Sequence, residues 1–290
     1  MTSTSVSAPT TKVVAPPSTR SLRRPRSLSE RLLSANAWLI FVFLYAPIFV
    51  LVIFSFNSGH FVSQWEGFSL SWYVTLFQNE AIGLALRNSL IVATISTIIS
   101  TVLATLVAVG MERFNFPGKT AMDSVLYLPI IIPDIAMAVM LLLFFVQAGQ
   151  ALGLVGFRFS LGLGTVILSH IAFNVAFVTV TIRARLADFD RSLEEAARDL
   201  YANEWATFRH VTLPLIMPGI LAGALLAFTM SLDDFVVTFF TSGPGSTTLP
   251  LRIYSMVKTG ITPEINALST LMLAASMLLV FASLILQRKQ

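Results

Sequence analysis

The chain has no cysteine, so disulfides and thiolate metal sites are unavailable to it, and thiol usage says nothing about its compartment. Charge is almost as scarce. Asp, Glu, Lys and Arg make up 12% of its 290 residues, against about 25% in soluble domains. His60, His170 and His210 show no metal-ligand spacing, and no nucleophile–base pairing stands out, so a membrane enzyme is a poor reading. The net charge of +4 is too small to imply a nucleic-acid partner; the distribution of the charge is what matters. A superficial phosphate-loop match, Gly118-Lys119-Thr120, fails because that loop needs a glycine five residues before Gly118, where Arg113 stands. Pro117-Gly118 reads as a turn, and no nucleotide or other cofactor is expected on this chain.

What the chain has instead is apolar sequence, 55% of the total. It is gathered into runs at 35–56, 89–111, 125–146, 161–182, 213–234 and 265–286, each about 20 residues and so able to cross a hydrocarbon core as a helix. The runs are too long and continuous for barrel strands. The expectation is an all-α polytopic membrane protein with six transmembrane helices, surrounded by lipid, preceded by a Ser/Thr/Pro/Arg-rich disordered tail over 1–34. The tail faintly resembles a transit peptide, and Arg23-Arg24 a twin-arginine signal, but no small-residue cleavage site follows the first span. A positive anchor is the simpler reading.

Six spans put both termini on one side. That side receives the tail residues Lys12, Arg20, Arg23, Arg24, Arg26 and Arg31, then Arg113 and Lys119. It also receives Arg183, Arg185, Arg191, Arg198 and Arg209, and finally Arg288 and Lys289. Only Arg87, Arg158, Arg252 and Lys258 remain for the other side, which places all 19 basic residues. By the positive-inside rule both termini and the 183–211 loop are cytoplasmic. On the outer side, Trp72 and Tyr73 suggest a short amphipathic piece at the interface, and Gly243-Pro244-Gly245 a turn followed by a short helix or extended piece.

The cytoplasmic loop at about 190–212 has the make-up of two short helices. Ser192 and Glu195 have capping-box spacing, and Glu194 and Arg198 form an i,i+4 pair. Asn203 can cap a second helix bearing Trp205 and Phe208, and Pro214 suits the first turn of the next span. Such a pair could dock a partner; equally, it could lie on the membrane with Glu195 serving only as a local cap. Asp134, near the middle of the third run, is an intramembrane carboxylate and so a site candidate, or a cap for a helix broken at Pro133. Gly219, Gly223, Ala227 and Ser231 form a small-residue stripe for close helix packing. Asp234 should point to the packed side and Asp233 about a quarter-turn away. The pair could instead be interfacial and solvated, or cement contact with another protein. His170, near Asn174, reads as a packing residue.

Glu195-Ala196-Ala197 followed by Leu213-Pro214 resembles the EAA loop of ABC importer permeases. Phe68-Ser69-Leu70 with Trp72-Tyr73, the segment 128–134 (LPIIIPD), Ser231-Leu232-Asp233-Asp234, Gly243-Pro244 and the segment 263–268 (PEINAL) resemble the spermidine/putrescine permease family. The resemblance covers about 35–290 and implies a type I ABC importer transmembrane domain. It implies that the loop is a coupling helix, with Glu194, Glu195, Ala196, Ala197, Asp199, Leu200 and Tyr201 docking a separate ATPase that carries ATP and Mg. It further implies a second homologous permease chain, a periplasmic or extracellular substrate-binding protein, and residence in a bacterial inner membrane. For polyamine cargo the path would use Asp134, Asp233, Asp234, Phe235, Tyr254 and, at the outer mouth, Glu264, since a flexible polycation is held by carboxylates and aromatic faces. Related importers carry opines, aminophosphonates and other small amines. An ion-coupled secondary transporter would leave the loop unexplained and predicts inverted repeats that are not found. One residue departs from the family: Tyr201 stands where glycine is usual. Tyrosine does not take a positive φ cheaply, which implies either a rebuilt turn or a different ATPase surface.

Overall fold

The structure, a computed structural model, describes residues 28–61, 64–154, 160–187, 189–260 and 262–287. Most of the expected tail, with Arg158, Arg288 and Lys289, lies outside them. The chain divides into a unit ending at Val50 and a unit beginning at Leu51. Among the described residues the regular structure is helical apart from one antiparallel bridge, Asn57 to Phe68.

The first unit holds most of α1 (Leu28–Phe54), which is apolar on all sides and buries none of its residues. That suits hydrocarbon contact. The helix begins inside the expected tail, because Leu28, Leu32 and Leu33 extend its apolar surface and Glu30 occupies the first turn, where the helix dipole favours an acid.

In the second unit, α2 (Ser71–Gln78) is the short amphipathic helix expected after the first span. Asn79 then caps α3 (Glu80–Arg113), its side chain accepting the Ala81 and Ile82 amides. This cap starts α3 well before the apolar run at 89–111. The third run is not one span. It breaks into α4 (Lys119–Ile131) and α5 (Asp134–Leu154). Ile132, preceding Pro133, is forced extended, with ψ 134°. Gly118, with φ 91°, makes the turn into α4.

The core is built from α3, α6 (Leu163–Ala187) and α9 (Leu213–Asp233). Small residues bring these axes together: Ser89, Ser96, Ser100, Ala104 and Ala108 on α3, and Gly219, Gly223, Ala227 and Ser231 on α9 are all buried. A Cβ on Gly223 would stand 2.9 Å from the Val178 side chain. Polar links add to this seam, with Ser231 Oγ receiving Asn174 Nδ2 at 2.8 Å and lying 3.1 Å from Ser96 Oγ. Beyond the Asp233 end of α9 come α10 (Val236–Thr241) and α11 (Leu249–Thr259), then the long α12 (Pro263–Gln287). Leu249 and Met256 of α11 and Ile265 and Leu268 of α12 share an apolar cluster with Leu76 of α2.

Among the described residues, five helical stretches are long and apolar enough to span a membrane: Leu28–Phe54, Glu80–Arg113, Asp134–Leu154, Leu163–Ala187 and Glu204–Asp233. The sixth expected run falls on α12.

Candidate functional site

Between α6 and α9 the chain forms α7 (Ser192–Asp199), α8 (Glu204–Thr207) and a π-helical turn, Phe208–Thr212, that runs into α9. The two expected short helices are present, but their wiring differs in two places. Ser192 is not the cap: the Asp190 carboxylate accepts the Ser192 amide at 2.9 Å, and no side chain of the residue preceding α7 caps it. This bond, first through the backbone amide and then through the Ser192 side chain, holds the Asp190 carboxyl below its ordinary value of 3.8. Nor does Glu194 pair with Arg198. Glu194 turns inward, 13% exposed, onto Arg113 of α3 and the Thr212 hydroxyl. Arg198 instead reaches Glu204 at 3.0 Å. Asn203 does cap α8, accepting the Ala206 amide at 2.8 Å, and Trp205 packs on Phe208 with ring centroids 5.8 Å apart.

The turn after α7 resolves the Tyr201 question. Tyr201 adopts φ 64°, the only positive φ of a non-glycine residue among those described. Its amide donates to the Arg198 carbonyl at 2.9 Å, and the Ala202 amide to the Ala197 carbonyl at 3.1 Å. These are the two bonds of a Schellman cap with Tyr201 in the glycine position. The turn is therefore retained, not rebuilt. Glu195, Ala196, Asp199, Leu200 and Tyr201 form the exposed surface of the tip and Ala197 is half-buried; Leu200 is 82% and Tyr201 98% exposed.

A second group of candidates converges where two helices break. Asp134 opens α5 after the Pro133 break, while Asp233 ends α9 and Asp234 follows it. Together with Phe173, Phe177, Phe235 and two methionines they line a cleft of about 340 Å³. The three carboxylates are not equivalent. Asp234 Oδ2 accepts the Thr238 amide at 2.8 Å and the Thr238 hydroxyl at 2.9 Å, Oδ1 accepts the Val237 amide at 3.2 Å, and His170 Nε2 lies 3.3 Å from Oδ2. Asp234 is thus 12% exposed and caps α10. It is packed as expected, but not by helical spacing: α9 ends at Asp233, Asp234 is extended with ψ 127°, and the start of α10 holds its carboxylate. Asp134 and Asp233 are exposed and make no hydrogen bond or ion pair among the described residues. Tyr254 packs on Phe235 with centroids 4.6 Å apart and the rings tilted by 44°, so it backs the cleft wall. Glu264 does not reach the cleft; it accepts Asn79 Nδ2 at 2.8 Å and ties α12 to the α2–α3 corner.

Sequence reading passed over two side chains. His170, taken as packing, is fully buried beside Asp234 and Thr238. Arg113, counted only for its charge, is the partner of Glu194. Both contacts join residues far apart in the chain, where no local periodicity can signal them.

Comparison with known proteins adds to this geometry. Residues 100–290 match the family described as binding-protein-dependent transport system inner membrane component. The chain is 41% identical over 249 residues to the spermidine/putrescine transport system permease protein PotC of Escherichia coli K12, covering 86% of this chain and 91% of that one. It is 45% identical over 236 residues to the putrescine transport system permease protein PotI of the same strain, covering 81% and 83%. Among solved structures it resembles a bacterial ABC transporter involved in the import of the acidic polysaccharide alginate. There the TM-score is 0.72 at 22% identity, covering 90% of this chain and 95% of that one.

Proposed function

The chain belongs to the family of binding-protein-dependent transport system inner membrane components, and from that premise we propose that this permease subunit carries polyamines, putrescine or spermidine, inward by alternating access. The observation that carries the cargo reading is the cleft holding Asp134 and Asp233 unpaired among Phe173, Phe177 and Phe235. A flexible polycation fits such a site: amines meet carboxylates, and methylenes and ammonium groups meet aromatic faces. The two relatives named for polyamine transport point the same way. An opine or aminophosphonate carries acidic groups that these carboxylates would repel, so the cleft favours the amine.

The exposed tip of α7 and its cap, from Glu195 through Tyr201, would dock a separate ATPase that binds ATP and Mg, while this chain performs no chemistry. Cargo would arrive on a substrate-binding protein at the outer side, and a second permease chain would complete the pore. In this arrangement both termini and the α7–α8 loop face the cytoplasm.

The test is uptake and ATP hydrolysis by the assembled complex in vesicles. Putrescine or spermidine on the binding protein should stimulate both, and non-amine competitors should stimulate neither. If no amine raises ATP hydrolysis, the polyamine assignment fails. Converting Asp233 to Asn should weaken half-saturation by about tenfold, since a carboxylate about 4 Å from an ammonium contributes about 1 to 4 kcal/mol depending on exposure.

A further inference from the structure

We propose that Glu194 is an internal strut that transmits movement of the coupling loop into the ends of α3 and α9, and is not itself a contact with the ATPase. This rests on the importer reading above. The two neighbouring acids of α7 face opposite ways: Glu195 is exposed, while Glu194 is 13% exposed and directed into the protein. Glu194 Oε1 accepts from both Arg113 and Thr212, and Arg113 Nη2 also donates to Thr212 Oγ1 at 2.7 Å. The triangle closes three elements on one another: the last turn of α3, the first turn of α7 and the π turn that becomes α9. Thr212 is fully buried, so the triangle is seated in the protein and not on its surface.

The attachment matters because Glu194 is the side chain of α7 that reaches into the helix bundle. None of the residues of α7 is fully buried, so apolar packing contributes little to holding it on the bundle. Charge-assisted hydrogen bonds are shorter and stronger than neutral ones, and partial burial spares them much of the screening that weakens exposed pairs. A second knot lies beside the first. Arg183 of α6 donates to Glu112 of α3 at 2.9 Å and to Asp123 of α4, and Arg191, just before α7, donates to the Glu112 carbonyl at 3.2 Å. Glu112 and Arg113, adjacent at the end of α3, therefore gather α4, α6, α7 and the π turn. A pull on α7 is delivered through Thr212 to α9, whose far end holds Asp233, and through Arg183 to α6, whose Phe173 and Phe177 line the cleft.

The experiment uses the full complex, with labelling read on this chain, which has no cysteine of its own. A single reporter, Val236→Cys in the cleft, is labelled with a maleimide with and without ATP, and the amount of ATPase co-purifying is measured alongside. Neither readout needs cargo, so the outcome is independent of whether the polyamine assignment holds. With Glu194 intact, ATP should change the labelling rate by about fivefold or more, in the range of ordinary allosteric coupling. Glu194→Leu should abolish that response while ATPase co-purification stays within about twofold, as for a substitution that touches no partner. The shape-matched Thr212→Val should reduce the response in the same direction, which guards against a folding defect in one variant. The exchanged pair Glu194→Arg with Arg113→Glu should restore part of it. Glu195→Lys should instead reduce co-purification itself. Loss of ATPase from Glu194→Leu to the extent seen for Glu195→Lys would make Glu194 a docking contact and overturn the proposal. So would an ATP response undiminished by Glu194→Leu, or an exchanged pair no better than Glu194→Leu.

Discussion

Tyr201 holds a left-handed backbone that costs a non-glycine residue about 1–2 kcal/mol, and its ring, 98% exposed, gains nothing from this chain in return. The sequence made the departure from glycine visible, but left open whether the turn would survive it. It survives because two backbone bonds, accepted by the Arg198 and Ala197 carbonyls, fix it. Tyr201→Gly should therefore slow hydrogen exchange of the residue 201 and Ala202 amides by about fivefold, the equivalent of about 1 kcal/mol. The same change should weaken ATPase binding if the ring is what the partner grips. Faster exchange in the glycine variant would show that the strain argument is wrong. The two adjacent acids differ in a comparable way. Asp234 is consumed by Thr238, Val237 and His170, so Asp234→Asn should lower thermal stability by about 1–3 kcal/mol through unsatisfied buried partners. Asp233→Asn, with no partner to strand among the described residues, should leave the melting temperature unchanged. Equal thermal losses would remove the distinction between a cap and a free carboxylate.

Helices were legible where apolar periodicity and caps act locally. The small-residue stripe of α9, the Asn203 cap of α8 and the Pro214 start of α9 are all present as spacing implied. The run at 125–146 misled because hydropathy does not register a backbone break, whereas Pro133 with its extended neighbour does. Glu194 misled because a favourable i,i+4 spacing competes with a long-range partner that sequence cannot display. The stripe gives a direct test. Gly223→Ala places a methyl 2.9 Å from a stiff, β-branched Val178, so α9 must move off α6. A cost of about 1–3 kcal/mol is expected, seen as a lower melting temperature in detergent. Ala in place of Gly110, where a Cβ meets nothing within 4 Å, should not lower it. At α7, Asp190 gives a pH dependence whose sign is fixed by its lowered folded value. Its contribution is complete above about 3.8 and is lost only as pH falls through that lower value. Loop protection attributable to Asp190 should therefore be flat between pH 5 and pH 7, measured as the difference in hydrogen exchange between the protein and Asp190→Ala; a loss within that interval would contradict it.

At the scale of the whole molecule, the sidedness on which every partner depends comes from basic residues alone. Neither the helices nor the cleft distinguish inside from outside. The distribution of Lys and Arg does, because translocating them is opposed while the spans themselves are indifferent. By that rule the proposed arrangement has the turn after α3 and the α7–α8 loop in the cytoplasm, and α2 with the α10–α11 turn outside. The chain's lack of cysteine makes this directly measurable without altering any native thiol. Asn115→Cys in the turn before α4 and Gln78→Cys at the end of α2 are both exposed positions. In intact cells a membrane-impermeant maleimide should label Gln78→Cys and spare Asn115→Cys, and permeabilisation should render Asn115→Cys reactive. The break between α4 and α5 sharpens the test, because α4 is too short to cross the bilayer and α5 alone must do so. Thr120→Cys, at an exposed position in the first turn of α4, should therefore behave like Asn115→Cys. Labelling of both from outside in intact cells would place the α7 tip on the same outer face, beyond the reach of an ATPase, and would undo the docking role assigned to Glu195 and Tyr201.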